Sequence, residues 1–248
     1  MTPTLLITGA SRGIGAATAL LAAQRGYAVA VNYSANSLAA DEVVRQIRAG
    51  GGTAMAVKAD VADEAQVMAM FAHIDARLGP ITALVNNAGV VDMAARVDEM
   101  SVARLKRMFD INIVGSFVCA REAIRRMSTR HGGAGGSIVN LSSAAARLGG
   151  PGQYVDYAAS KGAIDTFTLG LAREVAAEGI RVNAVRPGII ETDIHASGGQ
   201  PDRARQLAPL VPMQRAGSAM EVAQVIVWLL SEDASYTTGA LIDVAGGR

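Results

Sequence analysis

The sequence predicts an α/β fold in a single domain, with a doubly wound, seven-stranded parallel sheet and helices on both faces. Short runs that are apolar almost throughout alternate with longer segments of helical periodicity, as expected for strands covered on both faces. The length of 248 residues and the hydrophobic fraction of 50% suit one large core. No linker or change of composition divides the chain, so residues 1–248 are predicted to form one domain.

The predicted strands and helices follow one another in regular alternation. The strands are predicted at residues 4–8, 28–32, 53–59, 82–87, 136–142, 180–187 and 240–244. The helices are predicted at residues 13–25, 36–49, 63–78, 101–129, 154–178 and 218–231. Because crossovers between parallel strands are right-handed, this alternation favours the doubly wound topology.

Residues 189–216 form the least regular segment of the chain, and we expect a substrate lid there. Glycines and prolines interrupt any long helix in this segment. It follows the sixth predicted strand, and ligands in such sheets bind at the carboxyl ends of the strands. Loops of this length are usually functional, although an ordinary surface loop is the alternative. The side chains expected to contact a substrate there are Ile194, His195, Leu207 and Met213.

Composition and charge argue against several classes of function. The net charge is +1 and no long basic run is present, so nothing favours nucleic acid or an anionic membrane as a partner. No apolar run approaches the ~20 residues of a membrane span, and no signal peptide is recognisable, so we expect a soluble, cytoplasmic protein. Cys119 is the only cysteine and is expected to be buried. No cluster of histidines and cysteines suggests a metal site.

The stretch "TGASRGIG" at residues 8–15 joins the first predicted strand to the first predicted helix. Gly9, Gly13 and Gly15 allow a tight turn and a close approach of the backbone to a ligand. The helix that follows directs its amino-terminal amides toward a pyrophosphate group. A glycine pattern in this position, between a strand and a helix, predicts a dinucleotide site.

The residues after the second predicted strand indicate which dinucleotide is bound. An acidic residue ~20 positions beyond the glycines normally binds the adenosine ribose of NAD. Residues 32–36 read "NYSAN" and contain no carboxylate. Asn32, Tyr33 and Ser34 would tolerate a 2′-phosphate, and Arg12 can supply positive charge. The sequence therefore favours NADP(H), with NAD(H) bound through backbone groups and Ser34 as the alternative.

Tyr157 and Lys161 lie four residues apart in a predicted helix and so share one face. A free tyrosine has a pKa of ~10 and is a poor base at neutral pH. A nearby ammonium, together with the positive nicotinamide ring of a cofactor, would lower that pKa and allow proton exchange with a carbonyl or alcohol. Tyr154 lacks such a partner, since Ala158 stands four residues after it.

A pair of serines ends the fifth predicted strand, in "NLSSAAARLG" at residues 140–149. Their hydroxyls stand at the carboxyl edge of the sheet, where Ser142 or Ser143 could bind a substrate oxygen. The chain has no G-x-S-x-G motif, so a serine hydrolase is not supported.

These motifs together resemble the short-chain dehydrogenase/reductase family over essentially the whole chain. "NNAG" (86–89), "INIVGSF" (111–117), "YAASK" (157–161) and "RPGIIET" (186–192) follow the glycine loop in the family's order. The family's serine usually stands about thirteen residues before the tyrosine. Ser143 precedes Tyr157 by fourteen positions and Ser142 by fifteen. We choose Ser143, with Ser142 as the alternative.

The resemblance implies a Rossmann fold, a dinucleotide cofactor and a set of site residues. The implied catalytic residues are Asn112, Ser143, Tyr157 and Lys161. The implied cofactor-binding residues are Gly9, Ser11, Arg12, Gly13, Ile14, Gly15, Asn32, Tyr33, Ser34, Asp60, Val61, Asn87, Ala88, Gly89, Tyr157, Lys161, Pro187, Gly188, Ile190 and Thr192. In the family's pattern Asn112 positions a water near Lys161, and Thr192 contacts the nicotinamide amide.

The expected function is hydride transfer between NADP(H) and a carbonyl or alcohol substrate, working as ketone reduction, with a 3-oxoacyl thioester as one candidate. An NAD(P)-dependent sugar or alcohol dehydrogenase is the alternative within the family. A non-catalytic dinucleotide-binding regulator is disfavoured, because all four catalytic positions are filled. The resemblance also implies a homotetramer, with the helices predicted at 101–129 and 154–178 forming one interface.

Overall fold

Seven parallel strands form the central sheet in the computed structural model, which describes residues 2–193 and 198–248. In chain order the strands are β1 (Thr4–Ile7), β2 (Ala28–Tyr33), β3 (Ala54–Lys58), β4 (Ala83–Asn86), β5 (Gly136–Leu141), β6 (Ile180–Pro187), β7 (Ile190–Glu191), β8 (Gly217–Ser218) and β9 (Leu241–Val244). The sheet has the order β3-β2-β1-β4-β5-β6-β9, while β7 pairs with β8. The order changes direction between β1 and β4, which creates a ligand crevice at their carboxyl ends. The predicted doubly wound sheet is confirmed.

Helices cover both faces of this sheet. They are α1 (Gly13–Gln24), α2 (Ser37–Ala49), α3 (Glu64–Leu78), α4 (Val102–Phe109), α5 (Gly115–Met127), α6 (Ala145–Leu148), α7 (Val155–Val175), α8 (Arg203–Leu207) and α9 (Ala219–Leu230). Several begin at side-chain caps: Asn36 accepts from the amide of Ala39 at 3.0 Å to start α2, and Ser218 caps α9. Within the described ranges, no helix is both long enough and apolar enough to cross a bilayer.

The helix predicted at 101–129 is interrupted in the structure. α4 and α5 are joined by a π-helical turn over Asp110–Val114. Such turns insert one extra residue into the helical repeat and occur frequently at functional sites. The turn contains Asn112, which is 1% exposed, so the interruption falls at a predicted site residue.

The sheet separates two apolar layers, which explains why its strands are apolar almost throughout. Leu5 and Ile7 of β1 pack on one side with residues of α1, α2 and α9. Leu6 packs on the other side with residues of α3, α5 and α7. Cys119 belongs to the second layer and is buried as predicted. Burial raises the pKa of its thiol to about 12, so the thiol is protonated and serves packing.

The two ends of the segment at residues 189–216 lie close to each other. Its first strand, β7, pairs with β8 through the register of Ile190 with Gly217. α8 lies between them. Of the side chains expected to contact a substrate, Ile194 and His195 fall outside the described residues.

Candidate active site

The glycine loop lies between β1 and α1 with backbone that only glycine adopts readily. Gly9 and Gly13 have φ angles of 62° and 56°. A Cβ atom at Gly15 would lie 2.6 Å from Nδ2 of Asn87 and 2.7 Å from the carbonyl oxygen of Gly9. The N-cap residue Arg12 makes no side-chain cap to the first turn of α1. A bare backbone surface at an uncapped helix start fits the pyrophosphate of a dinucleotide.

Two asparagines hold this loop in place. Oδ1 of Asn32 accepts from the amide of Gly9 at 3.1 Å, and its Nδ2 donates to the carbonyl of Ala59 at 3.1 Å. Nδ2 of Asn87 donates to the carbonyls of Thr8 and Gly9 at 2.8 and 2.9 Å. Asn32 is 2% exposed, and its side chain holds the glycine loop through these hydrogen bonds.

The carboxyl ends of β2 and β3 form the edge where an adenosine ribose would lie. Ser34 follows β2 and is exposed, while Tyr33 is half-buried. Lys58, the last residue of β3, pairs in register with Tyr33 and is exposed. This lysine adds positive charge at the edge, and the sequence analysis missed it because the two residues lie on different strands.

The predicted cofactor-binding residues Asp60 and Val61 differ in burial. Asp60 is exposed, and its Oδ1 accepts from the amide of Ala62 at 3.0 Å. Val61 is buried, and a Cβ atom at Gly115 would lie 2.8 Å from its Cγ2. Val61 therefore packs under the crevice against the start of α5, and Asp60 lies at its rim.

Tyr157 and Ser143 meet across the gap between β5 and α7. Both residues line the same cavity, and the Ser143 hydroxyl is close enough to Tyr157 to favour a lower pKa of its phenol. Ser143 Oγ also accepts from the amide of Ala145 at 3.1 Å, which fixes its side chain. By contrast, Oγ of Ser142 donates to the carbonyl of Lys161 at 3.1 Å. The geometry favours Ser143 over Ser142 as the partner of the tyrosine.

Lys161 is buried beside Tyr157. Its Nζ donates to the carbonyl of Leu141 at 2.7 Å and lies 5.7 Å from the centroid of the Tyr157 ring. Burial lowers the pKa of Lys161 to about 8, and the carboxylate of Asp165 acts in the opposite direction.

The protein groups around Tyr157 do not by themselves lower the pKa of its phenol. Burial raises the pKa of Tyr157, and only the hydrogen bond from Ser143 opposes that increase. Desolvation disfavours the phenolate more than the neighbouring groups favour it. The phenol is therefore protonated at neutral pH.

Asn112 connects the crevice to α7. Its Oδ1 accepts from the amide of Val90 at 2.8 Å, and its Nδ2 donates to the carbonyl of Val90 at 3.0 Å and to Oγ of Ser160 at 3.1 Å. A Cβ atom at Gly89 would lie 3.5 Å from both Oδ1 of Asn112 and Nζ of Lys161. The π-helical turn thus places Asn112 next to Lys161, with its amide bonded to the backbone that follows β4.

A buried ion pair that the sequence analysis missed holds the start of α7. Nε and Nη2 of Arg104 donate to the carboxylate of Asp156 at 2.7 and 3.2 Å. Oδ1 of Asp156 also accepts from the amide of Tyr157 at 2.9 Å. The two charged residues are 52 positions apart, so no local spacing could have indicated the pair.

A cavity of about 540 Å³ lies in front of these groups. Ten predicted site residues line it: Ile14, Asn87, Gly89, Ser143, Tyr157, Lys161, Pro187, Gly188, Ile190 and Thr192. Other lining residues were not predicted, including Val91, Leu148, Tyr154, Ile189, Arg203 and Arg248. The structure therefore brings Ser143, Tyr157 and Lys161 to one cavity with several of the predicted cofactor-binding residues.

The remaining predicted residues do not line this cavity. They are Gly9, Ser11, Arg12, Gly13, Gly15, Asn32, Tyr33, Ser34, Asp60, Val61, Ala88 and Asn112. Of the described lid residues, Leu207 does not line it, and Met213 lines a second cavity beside Arg215 and Asp243.

Comparison with known proteins identifies the family. The model of a family described as Enoyl-(Acyl carrier protein) reductase matches residues 9–248. A short-chain type dehydrogenase/reductase from Mycobacterium marinum superposes with a TM-score of 0.92 at 34% identity, over 99% of this chain and 94% of that one. The chain belongs to the short-chain dehydrogenase/reductase family. It is an oxidoreductase by that membership.

Relatives within the short-chain dehydrogenase/reductase family match over nearly the full length. An uncharacterized oxidoreductase of Escherichia coli (strain K12), YgfF, is 58% identical over 98% of each chain. A 3-oxoacyl-[acyl-carrier-protein] reductase of Staphylococcus aureus (strain Mu50) is 38% identical over 100% of this chain and 98% of its own. Glucose 1-dehydrogenase 2 of Bacillus subtilis (strain 168) is 36% identical over 98% of this chain and 93% of its own.

Proposed function

We propose that the chain is an NADP(H)-dependent carbonyl reductase in which Tyr157 exchanges a proton with the carbonyl oxygen. The observation that carries this proposal is that Ser143, Tyr157 and Lys161 line one cavity. Ile14 and Gly89, which belong to the predicted dinucleotide site, line the same cavity. A carbonyl placed against the two hydroxyls would lie beside the dinucleotide crevice.

The chain's own residues perform the acid chemistry of this reaction. The bound nicotinamide cofactor supplies the hydride, which no side chain can do. Tyr157 donates its phenolic proton to the carbonyl oxygen during reduction and accepts it in the reverse direction. Ser143 donates to the same oxygen and polarises the carbonyl.

Lys161 and Asn112 support the proton donor. With its pKa near 8, the ammonium of Lys161 is mostly present at pH 7, where its charge stabilises the phenolate formed after proton transfer. Asn112 bonds the backbone at Val90 and, through Ser160, the first turn of α7. It positions Tyr157 and Lys161 relative to the crevice.

The choice of NADP(H) rests on the edge formed by β2 and β3. Residues 32–36 carry no carboxylate to repel a 2′-phosphate. Ser34 is exposed there, Lys58 is close in register, and Arg12 lies in the glycine loop. A hydroxyl and two cations suit a phosphate dianion.

The catalytic assignment is tested by replacing Tyr157 with Phe. We expect the rate of NADPH-dependent ketone reduction to fall by orders of magnitude while the dissociation constant of NADPH, measured by calorimetry, stays within about twofold. Tyr236→Phe is the matched control, since Tyr236 is fully exposed. Unchanged turnover in Tyr157→Phe would refute the assignment.

The cofactor assignment is tested by comparing dissociation constants for NADPH and NADH. We expect NADPH to bind more tightly, and Ser34→Asp to weaken NADPH much more than NADH, because a carboxylate repels the 2′-phosphate. Tighter binding of NADH to the unmodified protein would remove the argument from residues 32–36.

The substrate class has two candidates supported by relatives. Similarity to the 3-oxoacyl reductase of S. aureus favours ketone reduction of a 3-oxoacyl substrate, and similarity to glucose 1-dehydrogenase 2 of B. subtilis favours sugar oxidation. We give ketone reduction priority, since the phenol of Tyr157 is a proton donor at neutral pH. Initial rates with 3-oxobutanoyl thioesters and NADPH, against aldoses and NADP, decide between them.

A homotetramer working in the cytoplasm completes the proposal. Exposed apolar residues lie along α5 and α7, where Phe117 and Phe167 stack with ring centroids 3.8 Å apart. Phe117 is 46% exposed and Leu169 is 38% exposed. A second copy of the chain could cover these side chains, as the family resemblance implies. Light scattering coupled to size-exclusion chromatography measures the assembly directly.

A further inference from the structure

We propose that the substrate carries a carboxylate or similarly compact anionic group, and that Arg203 and Arg248 bind this group in the cavity that contains Tyr157. The inference deepens the proposed reductase function by naming a substrate class. It rests on three independent features of the described residues: an unsatisfied guanidinium, a second guanidinium with only neutral partners, and a cavity wall free of carboxylates.

Arg248 presents an unsatisfied donor. Its Nη1 is buried and has no hydrogen-bond partner within the part of the chain that the structure describes. The backbone of Arg248 is anchored, since its amide donates to the carbonyl of Ala245 at 3.2 Å and its carbonyl accepts from Nη2 of Arg147 at 3.1 Å. A buried N–H of a charged group without an acceptor is costly. Arg248 lines the cavity, so an anion bound there, with a side-chain adjustment that brings Nη1 to the wall, would provide that acceptor.

Arg203 is held in place without being neutralised. Its Nη1 donates to Oε1 of Gln200 at 2.6 Å and its Nη2 to Oε1 of Gln153 at 2.8 Å. The guanidinium lies over the ring of Tyr154, 5.0 Å from its centroid. Among the described residues, none offers Arg203 a carboxylate. Two amides and one aromatic ring therefore orient a full positive charge.

Other arginines in the chain show the contrast. Arg104, Arg147, Arg186 and Arg215 each pair with a carboxylate. Among the described residues, no ion pair joins Arg203 or Arg248 to an aspartate or glutamate; Arg248 also lines the second cavity, which contains Glu221 and Asp243. An arginine fork matches the geometry of a carboxylate or phosphate.

The walls of the cavity strengthen the attraction. No aspartate or glutamate is among its described lining residues. The neutral part of the wall includes Val91, Leu148 and Ile189. Cations in a cleft with apolar walls produce a focused positive potential that attracts anions.

The two arginines belong to the substrate end of the cavity. Arg203 contacts Tyr154, which immediately precedes α7 and stands three residues before Tyr157. Arg248 follows β9 at the opposite edge of the sheet from β2, where the ribose of the cofactor is proposed to bind. Both cations can therefore bind a substrate without occupying the 2′-phosphate position. The substrate class that fits is an oxo acid whose ketone reaches Tyr157 while its anionic end reaches the arginines.

The inference is tested with matched acids and esters. The probes are 3-oxobutanoate, 4-oxopentanoate and 5-oxohexanoate, their methyl esters, and the neutral N-acetylcysteamine thioester of 3-oxobutanoate. We expect at least one acid to have a higher kcat/KM with NADPH than its ester. Arg203→Met and Arg248→Met should each lower the acid-to-ester ratio of kcat/KM about tenfold to a hundredfold, the range for one charge-assisted hydrogen bond.

Two variants make the kinetic result specific. Arg203→Lys keeps the charge and should restore part of the ratio that Arg203→Met loses. Arg205→Met removes a neighbouring arginine of α8 that is 82% exposed and paired with Asp202, and it should leave the ratio unchanged. A preference of the unmodified protein for the ester or thioester at every chain length would overturn the inference while leaving carbonyl reduction intact.

A binding measurement separates this inference from the proposed function. Tyr157→Phe loaded with NADPH is titrated with each acid and each ester by calorimetry, with and without Arg203→Met. Acid binding that the arginine substitution weakens at least tenfold supports the anion site, even if the unmodified protein reduces none of the probes. Loss of NADPH binding in the arginine variants, or equal weakening for acids and esters, would refute it.

Discussion

Replacing Lys161 with Met removes an ammonium that the fold buries at an energetic cost. Lys161 is 4% exposed, and burial lowers its pKa from 10.5 to about 8. Each pKa unit corresponds to about 1.36 kcal/mol, so burying the protonated form costs roughly 3 kcal/mol below pH 8. The substitution also removes a hydrogen bond to the carbonyl of Leu141, worth about 1 kcal/mol. We expect Lys161→Met to be more stable than the unmodified protein by roughly 2 kcal/mol at pH 7.

The stability difference should change with pH in one direction only. Below pH 8 the lysine is protonated in both the folded and the unfolded chain, so it contributes no pH dependence. Between pH 8 and 10.5 the unfolded chain binds more protons than the folded chain, and the free energy of unfolding therefore rises with pH. The unmodified protein should gain roughly 2.5 kcal/mol relative to Lys161→Met between pH 7 and pH 10.

Urea denaturation followed by circular dichroism measures this difference at both pH values, at one fixed protein concentration. Groups that titrate in both proteins cancel in the comparison. Lys106→Met is the control, because Lys106 is exposed and its removal should give the same stability difference at pH 7 and pH 10. If the difference for Lys161→Met were equally independent of pH, the ammonium would not be desolvated and the reasoning would be refuted.

Three further substitutions test the support of the site. Asp156→Ala leaves the guanidinium of Arg104 buried without its carboxylate and should cost about 3–5 kcal/mol in the free energy of unfolding, measured in urea; a loss below about 1 kcal/mol would contradict this. Gly15→Ala places a Cβ atom 2.6 Å from Nδ2 of Asn87 and should weaken NADPH binding in calorimetry at least tenfold; unchanged affinity would show that the loop adapts. Phe117→Asp should reduce the proposed tetramer to a smaller species in light scattering, and an unaltered mass would place the interface elsewhere.

Much of the fold could be predicted because its causes are local. Strands covered on both faces need apolar side chains in both directions, and Leu5 and Leu6 satisfy this by facing opposite layers. Helix starts could be predicted within one or two residues where a side chain caps the first turn, as Asn36 and Ser218 do. The family's motifs located the tyrosine, the lysine and ten of the residues that line the cavity.

The rest depends on contacts that form only in three dimensions. A π-helical turn keeps helical periodicity, so the pattern around Asn112 could not distinguish it from a continuous helix. The polar side chain of Asn32 suggested contact with a cofactor. In the structure, both polar atoms of its side-chain amide form hydrogen bonds with the backbone of neighbouring segments. Arg203 and Arg248 reach the cavity from segments far from the motifs in sequence. The spacing of residues along the chain does not indicate contacts between segments that are distant in sequence.

The two titratable groups at the centre of the site show which physical effect dominates there. The sequence suggested that an ammonium, together with the positive nicotinamide ring of a bound cofactor, would lower the pKa of the phenol. In the structure, one desolvated environment opposes both charges, raising the pKa of Tyr157 and lowering that of Lys161 to about 8. At pH 7 the phenol is therefore protonated, and the ammonium predominates. With the phenol and the ammonium both protonated, the phenol can donate a proton to a carbonyl oxygen. Oxidation of an alcohol requires that the phenol first lose its proton. Burial, more than the attraction between the pair, thus keeps the phenol protonated near neutral pH.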